Sequence, residues 1–137
     1  LTHLTFGNNF DQPIEKGAIP DSLTHLTFGF CFNQPIKEKG VLPDSLSNLT
    51  FGRNYDQQIE EGVLPDSLID LTFGYNFILS NLLQFEKGVV PNSLKQFKFG
   101  NIILTRQEYL QMKIYDPDSL FNTTFDTNSN PSNLFIN

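Results

Sequence analysis

The chain has 137 residues, a formal net charge of −6 from 9 Lys+Arg and 15 Asp+Glu, 39% hydrophobic residues, 14 phenylalanines and one cysteine. The acidic balance argues against a nucleic-acid surface, which needs clustered Lys and Arg, and one cysteine excludes an internal disulfide. No apolar run reaches the roughly 20 residues of a membrane-spanning helix, so no membrane partner is expected.

Leu1-Thr2-His3-Leu4-Thr5-Phe6-Gly7 opens the chain, and its pattern returns at Leu23, Leu46 and Leu68, with a looser copy at Leu94. The first leucines lie 22, 23, 22 and 26 residues apart. Self-similarity at such a period marks a repeat solenoid, in which each unit buries its apolar face only against its neighbours. The units are 1–22, 23–45, 46–67 and 68–93, with a fifth beginning at 94; 101–137 reads as a degenerate last repeat and C-terminal cap.

Within each unit Leu4, Phe6 and their equivalents alternate with polar residues, which is strand spacing. The strands are expected side by side in one parallel sheet on one face of the solenoid, with loops and short helical turns on the other. Leu4 and Phe6 then point inward, and His3 and Thr5 outward. The phenylalanines at 6, 28, 51, 73, 99 and 125 are expected to stack as an inner column. Gly7 allows a turn that a side chain would obstruct, and Pro20-Asp21-Ser22, Pro43-Asp44-Ser45 and Pro65-Asp66-Ser67 turn the chain into the next strand.

Asn9, Cys31, Asn54 and Asn76 recur eight residues after each first leucine. The spacing Leu-x-x-Leu-x-Phe-x-x-Asn/Cys resembles the leucine-rich repeat, and that resemblance implies an inward side chain bonded to backbone of neighbouring turns, hence a buried Cys31. The next apolar residue (Phe10, Phe32, Tyr55, Phe77) comes one place earlier than in that pattern. A fuller match is Phe32-Asn33-Gln34-Pro35-Ile36 with Leu42-Pro43-Asp44-Ser45-Leu46, echoed by Phe10-Asp11-Gln12-Pro13-Ile14 and Tyr55-Asp56-Gln57-Gln58-Ile59. These segments resemble the FNIP repeat over residues 1–100. The resemblance implies a protein of amoebal or giant-virus type, often joined to an F-box that docks a ubiquitin-ligase adaptor; a ubiquitin-ligase partner is expected only if an F-box lies upstream of Leu1.

Repeat four is longer, and Ile78-Leu79-Ser80-Asn81-Leu82-Leu83 reads as a helical turn on the back of the solenoid. After Gly100 the pattern frays. Thr105-Arg106-Gln107-Glu108 fits a capping box, predicting a helix over 106–115 with Tyr109, Leu110 and Lys113 or Ile114 on one side. Pro117 to Phe125 matches the strand signature again as a sixth turn. The polar tail 128–137 reads either as disordered or as a segment tucking Leu134-Phe135-Ile136 onto the stack.

The search for chemistry returns little. His3 and His25 share an outward column, but its continuation Asn48, Asp70, Gln96 puts a carboxylate too far away for a metal site. The Asp-Ser pairs recur at every turn and read as turn chemistry. Asn48-Leu49-Thr50 and Asn122-Thr123-Thr124 fit the glycosylation acceptor but sit on packed strands. No base, nucleophile or ligand set rises above the periodicity, so no enzyme, metal or cofactor is expected.

The candidate binding surface is the outward face: Thr5, Thr27, Thr50 and Thr72 in one column, and His3, His25, Asn48 and Asp70 in another. After the glycine come Phe30, Arg53 and Tyr75, and aromatics with Arg are the usual anchors of interfaces. The expectation is a non-catalytic protein–protein interaction solenoid with a protein partner, in the cytoplasm (the host cytoplasm if viral), with a structural or virion-associated repeat module as the alternative.

Overall fold

Each repeat contributes one short strand, because only the Leu-Thr pair and its neighbours alternate before the glycine interrupts. In the computed structural model, which describes residues 1–77, 81, 85–86 and 88–114, these strands are β1 (His3–Thr5), β2 (His25–Thr27), β3 (Asn48–Thr50), β4 (Asp70–Phe73) and β5 (Gln96–Phe99). They pair in parallel in chain order, with His3 opposite His25, His25 opposite Asn48, Asn48 opposite Asp70 and Asp70 opposite Gln96. The register therefore equals the sequence period, and the molecule is a β-solenoid with parallel sheet along one side. The helical turn read at 78–83 (Asn81 apart), the sixth turn at 117–125 and the tail at 128–137 lie outside the described residues.

Two turn types fold each coil. Leu23, Leu46, Leu68 and Leu94 N–H groups donate to the carbonyls of Pro20, Pro43, Pro65 and Pro91, closing the turn into the next strand. On the back, the Ala18, Val41 and Val63 N–H groups donate to Glu15, Glu38 and Glu60 carbonyls. Gly17, Gly40 and Gly62 sit third in these turns at φ of 91°, 93° and 89°. That backbone excludes most side chains and defines a type II turn. The serine of each Pro-Asp/Asn-Ser group does more than stiffen its own turn. Ser22, Ser45, Ser67 and Ser93 hydroxyls donate back to the Leu1, Leu23, Leu46 and Leu68 carbonyls at 2.7, 2.6, 2.5 and 2.6 Å.

The core holds two aromatic columns, where the sequence reading placed one. Phe6, Phe28, Phe51 and Phe73 stack between coils at 5.3, 5.4 and 5.6 Å. Phe10, Phe32, Tyr55 and Phe77 form the second column at 6.0, 6.0 and 6.4 Å. Inside each coil the two rings face each other at 4.4, 4.0, 3.8 and 3.8 Å. Offset stacking at such distances adds to what burial alone provides. The first column does not continue to Phe99. Phe85, brought in by the longer fourth repeat, meets Phe73 edge-on at 6.5 Å. Phe99 is buried opposite Phe73 in the strand register, with no ring stack between them; Phe125 is outside the described residues.

The Asn9 column corrects the expectation taken from the leucine-rich repeat. Asn9 and Asn76 are exposed and Cys31 is half-buried, because the aromatic one place later takes the inward position. The polar ladder lies two residues further on. Asp11 Oδ1 accepts the Asn33 N–H at 2.9 Å, and Asn33 Oδ1 accepts the Asp56 N–H at 2.9 Å. Gln34 and Gln57 side-chain amides reach the same two oxygens at 3.0 and 3.1 Å. Each Asp or Asn thus satisfies a loop N–H of the coil behind it.

After β5 the run of parallel strands gives way to an element the sequence reading missed. A two-residue loop, Gly100-Asn101, reverses the chain into β6 (Ile102–Thr105), which pairs antiparallel with β5. Gly100 has φ 59°, as such tight hairpin loops require. Helix α1 (Arg106–Ile114) follows, as expected up to the last described residue. Its capping box is present: Glu108 N–H donates to Thr105 Oγ1 at 3.0 Å, and Thr105 N–H donates to Glu108 Oε1 at 2.8 Å. Tyr109 and Met112 are buried, while Leu110, expected on the same side as Tyr109, is exposed.

Candidate binding surface

The outward sheet face carries the residues the alternation puts there. Leu4 equivalents fill the core, so their neighbours must face away. His3 and Thr5 are exposed, while His25, Thr27, Asn48, Thr50, Asp70 and Thr72 are half-exposed. His3 and His25 stack at 4.1 Å between ring centroids and 12° between planes. Each Nδ1 lies 2.9 Å from the hydroxyl of the preceding threonine, Thr2 or Thr24. Asn48 Nδ2 donates to Asp70 Oδ2 at 3.1 Å, and Ser47 Oγ donates to Asn48 Oδ1 at 2.8 Å. Much of this column's hydrogen-bonding capacity is thus used within the ladder. Among the described residues no group of three or more His, Cys, Asp or Glu side chains converges as a metal site.

The residues after the glycine behave differently. Phe30 and Tyr75 are 45% and 65% exposed although both are large and aromatic. Arg53, one coil from each, lies between them, with its guanidinium carbon 5.6 Å from the Phe30 centroid and 5.9 Å from the Tyr75 centroid. The parallel register delivers this sandwich, since the three positions are equivalent in successive coils. Ring quadrupoles attract a cation held over their faces. Among the described residues the guanidinium has no hydrogen bond and no ion pair, so its N–H donors point to solvent.

Beside Tyr75 a shallow cleft is lined by Gly74, Phe77, Phe99 and Ile102. It exists because the Gly100-Asn101 hairpin ends the coil pattern there. Exposed Ile102 and Ile103 extend this apolar edge. The sequence reading did not include them, since it gave 101–105 no strand.

Every sequence-derived candidate therefore lies on the outward face or at the strand ends, in two groups. Phe30, Arg53 and Tyr75 form a solvent-facing aromatic–cation stack, and the His, Asn, Asp and Thr columns form a polar strip tied together internally. No helix among the described residues is long and apolar enough to cross a membrane.

These features define a class: a β-solenoid of stacked coils with a repetitive inner core and a variable outer column. Within that class, the family model of the FNIP repeat matches residues 1–31 and 32–76, and the chain belongs to the FNIP repeat family, a repeat-based interaction module. A comparison with curated proteins returns no match.

Proposed function

We propose that this protein is a non-catalytic interaction solenoid that holds a protein partner against the Phe30–Arg53–Tyr75 stack and the neighbouring sheet face. The observation that carries the reading is the stack itself. Two large rings are left in water while the core rings Phe28, Phe32, Phe51, Tyr55, Phe73 and Phe77 are buried, and a guanidinium unpaired among the described residues lies between them. Arg and aromatic residues dominate binding energy in protein interfaces, and side chains already stacked lose less freedom on binding. The Thr5, Thr27, Thr50 and Thr72 column and the His3, His25, Asn48 and Asp70 column would form the polar margin. A carboxylate of the partner suits the guanidinium edge.

Where an F-box precedes such repeats in one polypeptide, this face would be the substrate-recognition arm of a ubiquitin-ligase adaptor. The lone thiol suits a reducing compartment such as the cytoplasm. The test is cross-linking capture of partners by the unaltered protein and by the F30A/R53A/Y75A variant. Loss of a specific partner at unchanged unfolding midpoint supports the reading, and undiminished capture excludes this face.

A further inference from the structure

The Arg53 stack and the cleft beside it share a wall, the ring of Tyr75. Toward the preceding coil this ring meets the Arg53 guanidinium, 5.9 Å from its centroid. Toward the following coil it rests on the hairpin loop, where a Cβ on Gly100 would come within 3.3 Å of it. A glycine there lets the ring lie against bare backbone, so Tyr75 is held from both sides although it is largely exposed. The cleft has a volume of about 390 Å³. The buried rings of Phe77 and Phe99 form its floor, and the exposed Tyr75 and Ile102 its walls.

The charge at this edge is opposite in sign to that of the molecule. The chain carries a net −6, yet the positions after the strand glycines are Asn8, Phe30, Arg53, Tyr75 and Asn101, with a cation as their one charged group. Asp56, the acidic residue nearest to Arg53 in the chain, accepts the Asn81 side-chain amide at 2.6 Å. A guanidinium has five N–H donors and no acceptor, and its fork matches a carboxylate. A phosphate, with a charge of about −1.5 to −2, calls for a cluster of Arg, and no second cation stands in this column. Spacing adds a second constraint. Neighbouring coils lie about 4.8 Å apart, so the cleft is roughly 5–10 Å from the guanidinium. In an extended segment the side chains of residues i and i+2 share a face and are about 6.6 Å apart.

We infer that, given a protein partner held on this face as proposed above, stack and cleft form one composite site for an extended acidic segment of that partner. A carboxylate of the segment pairs with Arg53, and a bulky apolar side chain two residues away enters the cleft between Tyr75 and Ile102. Tyr75 serves both halves, because its ring holds the guanidinium and also covers the inserted side chain. Filling the cleft removes water from beside the guanidinium–carboxylate pair, and a shielded pair is stronger than an exposed one.

The probe is an acetylated and amidated peptide, Gly-Ser-Glu-Ser-Leu-Ser-Gly, titrated to millimolar concentration into the isotope-labelled protein. Amide shifts should centre on Arg53, Tyr75, Gly100, Asn101 and Ile102. Binding should weaken about tenfold or more when Gln replaces Glu in the peptide, when Ala replaces Leu, or when Glu and Leu are made adjacent. Arg53→Glu should reverse the preference, toward the peptide with Lys in place of Glu. No shifts, shifts centred elsewhere, equal affinity for the Glu and Gln peptides, or tighter binding of a phosphoserine peptide would overturn the inference. A captured partner separates it from the reading beneath it. Capture lost in the F30A/R53A/Y75A variant but kept in Arg53→Gln or in Ile102→Ser overturns the composite site and leaves the interaction face standing. Loss in all three variants supports both, and undiminished capture by the triple variant removes both.

Discussion

Tyr55→Phe should stabilise the protein. Tyr55 is fully buried and stacked on Phe51 at 3.8 Å, in the column whose other members are Phe10, Phe32 and Phe77. Among the described residues its hydroxyl has no hydrogen-bond partner. A hydroxyl taken from water without a partner costs about 1–3 kcal/mol. Phenylalanine keeps the ring and its stacking, so that cost is recovered with nothing else removed. With a urea dependence of about 2 kcal/mol/M, the midpoint should rise by roughly 0.5–1.5 M. Burial also pushes the Tyr55 phenol well above its ordinary value of 10.0. Below the unfolded value both states hold the neutral phenol and this group gives no pH dependence; above about pH 10 the unfolded chain ionises first, so stability should decline. The variant should lose the Tyr55 share of this alkaline decline. Paired urea titrations at neutral pH and near pH 11 read both effects. A lower midpoint for Tyr55→Phe at neutral pH would refute the reasoning, because the hydroxyl would then be contributing a favourable bond.

Gly52→Ala should destabilise by about 1–3 kcal/mol or more, as overpacking does, because its Cβ would fall 2.1 Å from the Gly29 carbonyl oxygen; thermal melts read it. Phe51→Ala should cost about 3–5 kcal/mol in a urea titration through the cavity left between Phe28, Tyr55 and Phe73. Thr105→Ala should lower stability by about 0.5–2 kcal/mol, the usual worth of an N-cap, with the loss concentrated in exchange rates of the first turn of α1. The Asp11 carboxyl is held below its ordinary value of 3.8 by the Asn33 backbone N–H and then by the Gln34 side chain. Its contribution is present above that value and disappears as pH falls through the lowered one. Asp11→Asn, which copies the residue at position 33, should keep the ladder and reduce the acid sensitivity seen in circular dichroism titrations. Tyr109, pushed up to about 12 by burial against an opposing pull from Arg106, should retain an alkaline transition in the Tyr55→Phe variant.

The parallel register was legible because Leu, Phe and Gly recur in phase, and phase alone decides which residues lie side by side. The capping box was legible because its partners are three residues apart. Features whose partner lies a full coil away were not. Nothing local marks Asp11 as an acceptor for Asn33, and the second aromatic column first looked like a departure from the leucine-rich spacing. Strand β6 was missed because Ile102–Thr105 does not alternate; its cause is the Gly100-Asn101 loop, a signal obscured by the glycine every coil carries there. The outward column of Phe30, Arg53 and Tyr75 could be read off the repeat. That the Arg would lie between the two rings needed side-chain placement, since composition alone allows three separate exposed residues.

The account rests on coils stacked in register around paired aromatic columns. Nuclear Overhauser contacts with selectively labelled phenylalanines and tyrosines test this most directly. Ring-to-ring contacts should join Phe28 to Phe51 and Phe32 to Tyr55, together with backbone contacts between Leu26 and Leu49. Contacts confined to rings within a single repeat, with none between repeats, would contradict it.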